Sequence, residues 1–230
     1  MSIHDGHRER LKKRFREEGL DGFTEFQILE LLLFYIIPRR DTNPIAHALI
    51  DRFGSLHQVL EAPVEELEKV EGIGPNAALL LNLITSVARA YMVSRTENSK
   101  ILRTIDECGE YLKSLFIGRR VETVYLLCLD AKCKVLGCRE VGEGSVNSAN
   151  VPTRRIVEIA LGMNASSVIL AHNHPSGIAL PSKEDILTTR RVAAALSTVD
   201  IQLVDHIIVA DDDYVSLVQS GHRFDDCIIL

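Results

Sequence analysis

The stretch S-V-I-L-A-H-N-H-P-S-G-I-A-L-P-S-K-E-D, Ser167 to Asp185, carries the most informative pattern in the chain. Its first five residues form an apolar run bounded by polar ones, the signature of a buried strand. If that strand continues through His174, then His172 and His174 lie two residues apart and point to the same face. Both imidazoles can then meet at one point. Pro175 and Gly177 turn the chain away, and Pro181 to Asp185 opens a helical stretch that runs from Asp185 to Leu196. Asp185 falls in its first turn, where the helix dipole favours an ionised carboxylate, the form that a metal ion needs. Two histidines and one aspartate make a three-ligand set, one short of a closed tetrahedron. A catalytic zinc site has that make-up, with water in the fourth position. Ser182 and Asp185 also have the spacing of a helix cap, but a cap alone leaves the two histidines at the strand end unexplained.

The rest of the chain bounds what such a site can serve. With 230 residues, 46% hydrophobic and 25% charged, the composition is that of one large or two small globular domains. The net charge of −6 is spread evenly: residues 1–100 hold 13 basic and 15 acidic side chains, and residues 101–230 hold 13 and 17. Neither part is a polybasic module of the kind that dedicated nucleic-acid binders use. Five cysteines without a C-x-x-C pair fit a reducing cytoplasm. Cys128, Cys133 and Cys138 are spaced by odd offsets that alternate faces in strands, which argues against a shared metal. The apolar run Leu29 to Ile37 contains Glu30 and is too short to span a bilayer.

Two rhythms divide the sequence. Residues 1–95 read as an all-helical domain: a charged helix over Arg8–Glu18, a second over Thr24–Tyr35, and a third from Asn43-Pro44 to near Gly54. The string Leu67-Glu-Lys-Val-Glu-Gly72-Ile-Gly74-Pro-Asn-Ala-Ala-Leu-Leu-Leu81 resembles a helix-hairpin-helix unit, whose glycine turn offers backbone N–H groups to a DNA phosphate. Its approach is acidic, with Glu61, Glu65, Glu66, Glu68 and Glu71 against one Lys69, and those charges repel phosphate. The expected DNA contact is therefore weak. Residues 96–103 read as a linker that includes T-E-N-S.

From Thr104 the pattern is α+β, a mixed sheet flanked by helices. Thr104-x-x-Glu107 is a capping box for a helix that ends by Gly118, and Glu122–Asp130 and Lys134–Val141 are strands. Glu143–Asn150 is a loop, and Pro152 starts a helix to about Leu161. Ile201–Ala210 and Tyr214–Val218 form a hairpin around three aspartates. His206, beside Asp205, reads as a packed, hydrogen-bonded strand residue, and Asn173 as structural.

The array His172-x-His174-(seven residues)-Ser182-x-x-Asp185 resembles the JAMM motif of MPN-type metalloproteases. The strings A-H-N-H-P-S-G, residues 171–177, and D-H-I-I-V, residues 205–209, resemble the RadC family of bacterial proteins, as does the helix-hairpin-helix-like region ahead of them. The resemblance covers essentially the whole chain. It implies an MPN/JAB, cytidine-deaminase-like fold over residues 104–230. It also implies one zinc ion with a bound water on His172, His174 and Asp185, and hydrolysis of a peptide or protein substrate. Ser182 would then help to hold the oxyanion. Glu122, at the start of the strand after the first helix of the domain, would be the proton carrier, with Glu143 as the alternative. One departure is Pro152-Thr-Arg154-Arg155, where such proteins often carry Pro-Arg-Glu. The competing reading is a DNA-associated repair or recombination protein whose metal domain is structural or inactive.

Overall fold

The run Thr123-Val-Tyr-Leu-Leu-Cys-Leu129 is buried at every position, and a strand with both faces buried must lie inside a sheet covered on both sides. The structure, a computed structural model, describes residues 3–38, 40–96, 100–144 and 152–224. In it, that run is strand β1 (Thr123–Leu129). It pairs antiparallel with β2 (Val135–Glu143) on one side and with β3 (Ser167–Asn173) on the other. β3 runs parallel to β4 (Gln202–Ala210), and β4 pairs antiparallel with β5 (Asp213–Ser216), giving the order β2-β1-β3-β4-β5.

Alternation along the strands sorts the core into two layers. Val124, Leu126, Cys128, Val168, Leu170 and Ile208 face helices α8 (Thr153–Gly162) and α9 (Lys183–Ser197). Tyr125, Leu127, Ile169, Ala171 and Ile207 face α7 (Ile105–Lys113) and a 3₁₀ turn, Ser114–Phe116. The expected α+β arrangement, a mixed sheet flanked by helices, is the one observed. α9 is the crossover between the parallel strands β3 and β4, so the ends of β3 and β4 and the start of α9 come together at one rim of the sheet.

Particular caps hold this frame. Thr104 Oγ1 accepts from the Glu107 amide at 3.1 Å, and the Glu107 carboxylate accepts from the Thr104 amide at 3.4 Å, so the predicted capping box is present. The last strand is shorter than the sequence pattern suggests, ending at Ser216 and not at Val218. The buried Asp205 carboxylate accepts hydrogen bonds from the Ser216 hydroxyl and the Val218 amide, and so diverts the chain from the ladder.

The helical region contains α1 (Ile3–Glu18), α2 (Glu25–Leu33), α3 (Asn43–Phe53), α4 (Leu56–Leu60), α5 (Val64–Leu67) and α6 (Pro75–Thr96). Its core gathers Leu29, Leu33, Leu49, Val59, Leu67 and Leu81, all fully buried. α4 has no counterpart in the periodicity reading; it is one short turn, started by Ser55, whose Oγ accepts from the Gln58 amide at 3.4 Å. The chain separates into two units, Met1–Ala88 and Arg89–Leu230, with the boundary inside α6. Residues 97–99 of the T-E-N-S segment and 145–150 of the Glu143–Asn150 loop lie outside the described residues. Leu170 is fully buried in the middle of β3, and Leu170→Ala should destabilise the protein by about 2–5 kcal/mol through lost burial and a residual cavity. A lower urea midpoint, followed by circular dichroism, checks this.

Candidate metal centre

His172 lies in the last turn of the ladder. It pairs with Val124 across the antiparallel side and with Ile208 across the parallel side, and it is completely buried. β3 formally ends at Asn173, but the His174 amide still donates to the Val209 carbonyl at 2.8 Å, so the ladder geometry carries His174 onto the face of His172. The chain then reverses. The Gly177 amide donates to the His174 carbonyl at 3.1 Å with φ at +78°, and a Cβ there would stand 2.9 Å from an Asp211 carboxylate oxygen. Glycine suits this position on both counts.

Asp185 arrives from the other side of the turn. Ser182 caps α9: its Oγ accepts from the Asp185 amide at 3.0 Å. Asp185 Oδ2 in return accepts from the Ser182 amide at 2.8 Å and from the Ser182 hydroxyl at 2.6 Å. This reciprocal cap occupies Oδ2 and turns Oδ1 toward the histidines. Asp185 Oδ1 stands 3.4 Å from His172 Nε2, and Oδ2 stands 3.8 Å from His174 Nε2. The two Nε2 atoms are 2.9 Å apart.

These distances fit a divalent cation. A tetrahedral ion at roughly 2.0–2.1 Å from each donor separates neighbouring donors by about 3.3 Å, a value between the 2.9 Å that separates the two Nε2 atoms and the 3.4 Å from His172 Nε2 to Asp185 Oδ1. The His174 Nδ1 lies 2.9 Å from the Ile178 carbonyl, which can only accept, so this nitrogen carries the proton and Nε2 offers its lone pair. Burial pushes His172 down to about 4, with Asp185 opposing the shift and His174 adding to it, so His172 is neutral at neutral pH. Neutral imidazole is the ligating form. Among the described residues, His172, His174 and Asp185 are the group of histidine, cysteine and acidic side chains whose ligand atoms converge, all within 4.8 Å.

The remaining sequence candidates fall in different places. Glu122 immediately precedes β1 and is half-buried. Val124, two residues on, pairs with His172, so Glu122 precedes β1 beside the strand end that carries both histidines. Asn173 fixes that segment: its Oδ1 accepts from the Thr123 amide at 2.8 Å, and its Nδ2 donates to the Arg119 and Val121 carbonyls at 3.3 Å. Glu143 is separated from the centre. It ends β2 opposite Thr123, whose side chain lies on the other face, and it pairs with Arg119 at 3.1 Å. Pro152 is the N-cap of α8, and Arg154 pairs with Glu158 at 2.8 Å on its exposed side.

His206 belongs to this centre and was not foreseen as part of it. It is fully buried, its Nε2 lies 2.8 Å from His172 Nδ1, and its Nδ1 lies 2.6 Å from Thr189 Oγ1. Burial holds it well below the usual imidazole range. The available signal was a polar Asp-His pair inside an otherwise apolar strand.

Residues 102–222 match the family described as RadC-like JAB domain. A curated relative, UPF0758 protein FN0909 from Fusobacterium nucleatum, is 35% identical over 225 residues, covering 95% of this chain and 97% of that protein.

The buried histidines make the metal-free protein sensitive to acid. In the unfolded chain, histidine titrates near about 6.5, whereas folded His172 titrates at about 4. Between these values the unfolded state binds the extra proton, so stability rises with pH. His172 and His206 therefore contribute stability that is complete above about pH 6.5 and declines as the pH falls toward 4. Asp205, raised by burial, works with the opposite sign over its own range. Urea midpoints of metal-stripped protein should be lower at pH 5 than at pH 7, and the difference should shrink in His172→Gln.

Proposed function

We propose, from the premise that this chain belongs to the family with the RadC-like JAB domain, that its second unit is a zinc-dependent hydrolase of peptide or isopeptide bonds. The observation that carries the reading is the convergence of two imidazole nitrogens and one carboxylate at a strand end. Two imidazoles and a carboxylate suit zinc among the common divalent ions. When bound, zinc supplies a Lewis acid and lowers the pKa of water toward about 7.

The side chains divide the remaining work. His172, His174 and Asp185 hold the ion. Glu122 stands outside the converging group. Its carboxylate takes the proton of the attacking water and returns it to the leaving amine. Ser182 orients Asp185 through its amide, which donates to Oδ2, and its hydroxyl, turned from Oδ2 toward the substrate, donates to the developing oxyanion. His174 is the more exposed ligand, with 19% of its side chain accessible against none for His172, so the peptide approaches from its side.

The compartment that fits is a reducing cytoplasm. Cys108, Cys128, Cys133 and Cys138 are free thiols, and no described helix is long and apolar enough to cross a membrane. In the first unit, the turn at Gly72 supports only a weak contact with DNA. Arg52 and Lys69 both pair with Glu66, and Glu65, Glu68 and Glu71 are exposed. Phosphate contacts supply most non-specific DNA affinity, and at the turn Arg40, whose guanidinium lies 3.7 Å from where a Gly72 Cβ would stand, faces that acidic surrounding.

Purified protein should carry one equivalent of zinc, and His172→Ala and Asp185→Ala should lose it. Glu122→Gln should keep the metal while cleavage of a fluorogenic peptide library falls by about 10²–10⁴-fold. Wild-type protein without stoichiometric metal, or metal content unchanged in the two ligand variants, overturns the reading. In a gel-shift titration at low salt, duplex DNA should be retarded weakly, and the band should be lost as salt is raised.

A further inference from the structure

The buried contacts behind His172 continue away from the centre. His172 Nδ1 meets His206 Nε2 at 2.8 Å, His206 Nδ1 meets Thr189 Oγ1 at 2.6 Å, and Thr189 Oγ1 meets the Asp185 carbonyl at 2.5 Å. His172, His206 and Thr189 are each completely buried, so water does not compete for these bonds. The end of the chain sets its direction. A carbonyl oxygen can only accept, so the Thr189 hydroxyl donates to the Asp185 carbonyl four residues back, a bond that helical threonine readily makes. That hydroxyl has one proton. It therefore accepts from His206 Nδ1–H, which leaves His206 Nε2 without a proton and able to accept from His172 Nδ1–H. The consequence reaches the centre: His172 keeps its proton on Nδ1 and presents the Nε2 lone pair.

We propose that His206 and Thr189 are positioning residues, a buried relay that fixes the tautomer and orientation of His172 so that Nε2 is ready to ligate. The relay runs from α9 to β4 to β3, and both of its ends lie on residues of the centre: it starts at the Asp185 carbonyl and finishes at the His172 ring. Two of the three ligand residues are thereby held by one set of bonds. His174 is oriented separately, by the Ile178 carbonyl of its own turn.

The backbone around His206 is held as firmly as its ring. Its amide donates to the Asp205 carboxylate at 2.7 Å, and its carbonyl accepts from the Leu217 amide at 3.0 Å. Asp205 is buried on the other face of β4, where it also accepts from Ser216 and Val218. β4 therefore enters the relay with its own polar groups satisfied, and the His206 ring has little freedom to move. Groups that orient metal-bound histidines typically contribute about 10–100-fold to metal affinity.

The proposal rests on the reading of His172 as a zinc ligand, and its test separates the two. Nitrogen NMR of metal-stripped full-length protein should find His172 protonated on Nδ1 and bare on Nε2. A His172 ring protonated on Nε2 would overturn the relay whether or not the protein binds metal. Zinc affinity is then measured by competition with a chromophoric chelator. Thr189→Val, close in shape, should weaken zinc binding by about 10-fold, and His206→Leu by about 10–100-fold. Thr189→Ser and His206→Gln, which keep the hydroxyl and an acceptor toward His172, should retain most of the affinity. If His206→Leu fails to fold, Thr189→Val carries the test. Wild-type zinc affinity in folded Thr189→Val, together with an unchanged His172 tautomer, would overturn the proposal. Wild-type protein that binds no zinc but shows the Nδ1–H tautomer would sink the hydrolase reading and leave the relay standing.

Discussion

The second unit depends on one constraint: a histidine is buried completely at the end of a strand that is itself covered on both faces. Removing an imidazole from water costs free energy unless both ring nitrogens find partners. His172 finds one in His206, and in the proposed reading the other is the cation that it would share with His174 and Asp185. The neighbouring structure follows from that need. β4 lies parallel to β3 with His206 alongside, and a parallel neighbour requires a crossover. The crossover here is α9, whose first turn delivers Asp185 and whose second delivers Thr189. A single topological choice thus brings Asp185, His206 and Thr189 to the ring of His172.

The polar residues inside the sheet form two systems on opposite faces. On the α9 side lie His172, His206 and Thr189. On the α7 side, Asn173 ties β3 to the segment entering β1, and Asp205 ties β4 to the end of β5. The second system braces the backbone around the first. Asn173 bonds the backbone on both sides of Glu122, through the Thr123 amide and the Val121 carbonyl. Glu122 is therefore carried on a braced backbone and not on a free loop.

Much of this was legible from single residues. The i, i+2 spacing of His172 and His174, the cap of Asp185 by Ser182, and the Thr104–Glu107 box each depend on local geometry, and local geometry is what spacing encodes. His206 was not legible as a partner, because its nearness to His172 depends on which strands pair and in what register. A register irregularity between Val168 and Ile169 shifts β4 along β3, and no local pattern in either strand announces it. The early end of β5 was hidden for the same reason: Asp205 is eleven residues before Ser216. Glu143 shows the converse error. Its sequence neighbourhood suggested a glycine-rich loop free to reach the centre, but pairing with Thr123 commits it to the opposite face and to Arg119.

Under the proposed reading, Ser182 meets two demands that conflict. In the structure its hydroxyl proton points to Asp185 Oδ2 while its oxygen accepts from the Asp185 amide. A hydroxyl has one proton, so it cannot orient the carboxylate and stabilise an oxyanion at the same moment. The Ser182 amide, which also reaches Oδ2, removes the difficulty. With that bond in place the carboxylate keeps its orientation when the hydroxyl turns, and the cap survives because its other half uses the oxygen's lone pair and not its proton. The redundancy of the cap would thus release the serine hydroxyl for the proposed chemistry, and an aspartate at the third position of a helix is the residue that can be held in both ways at once.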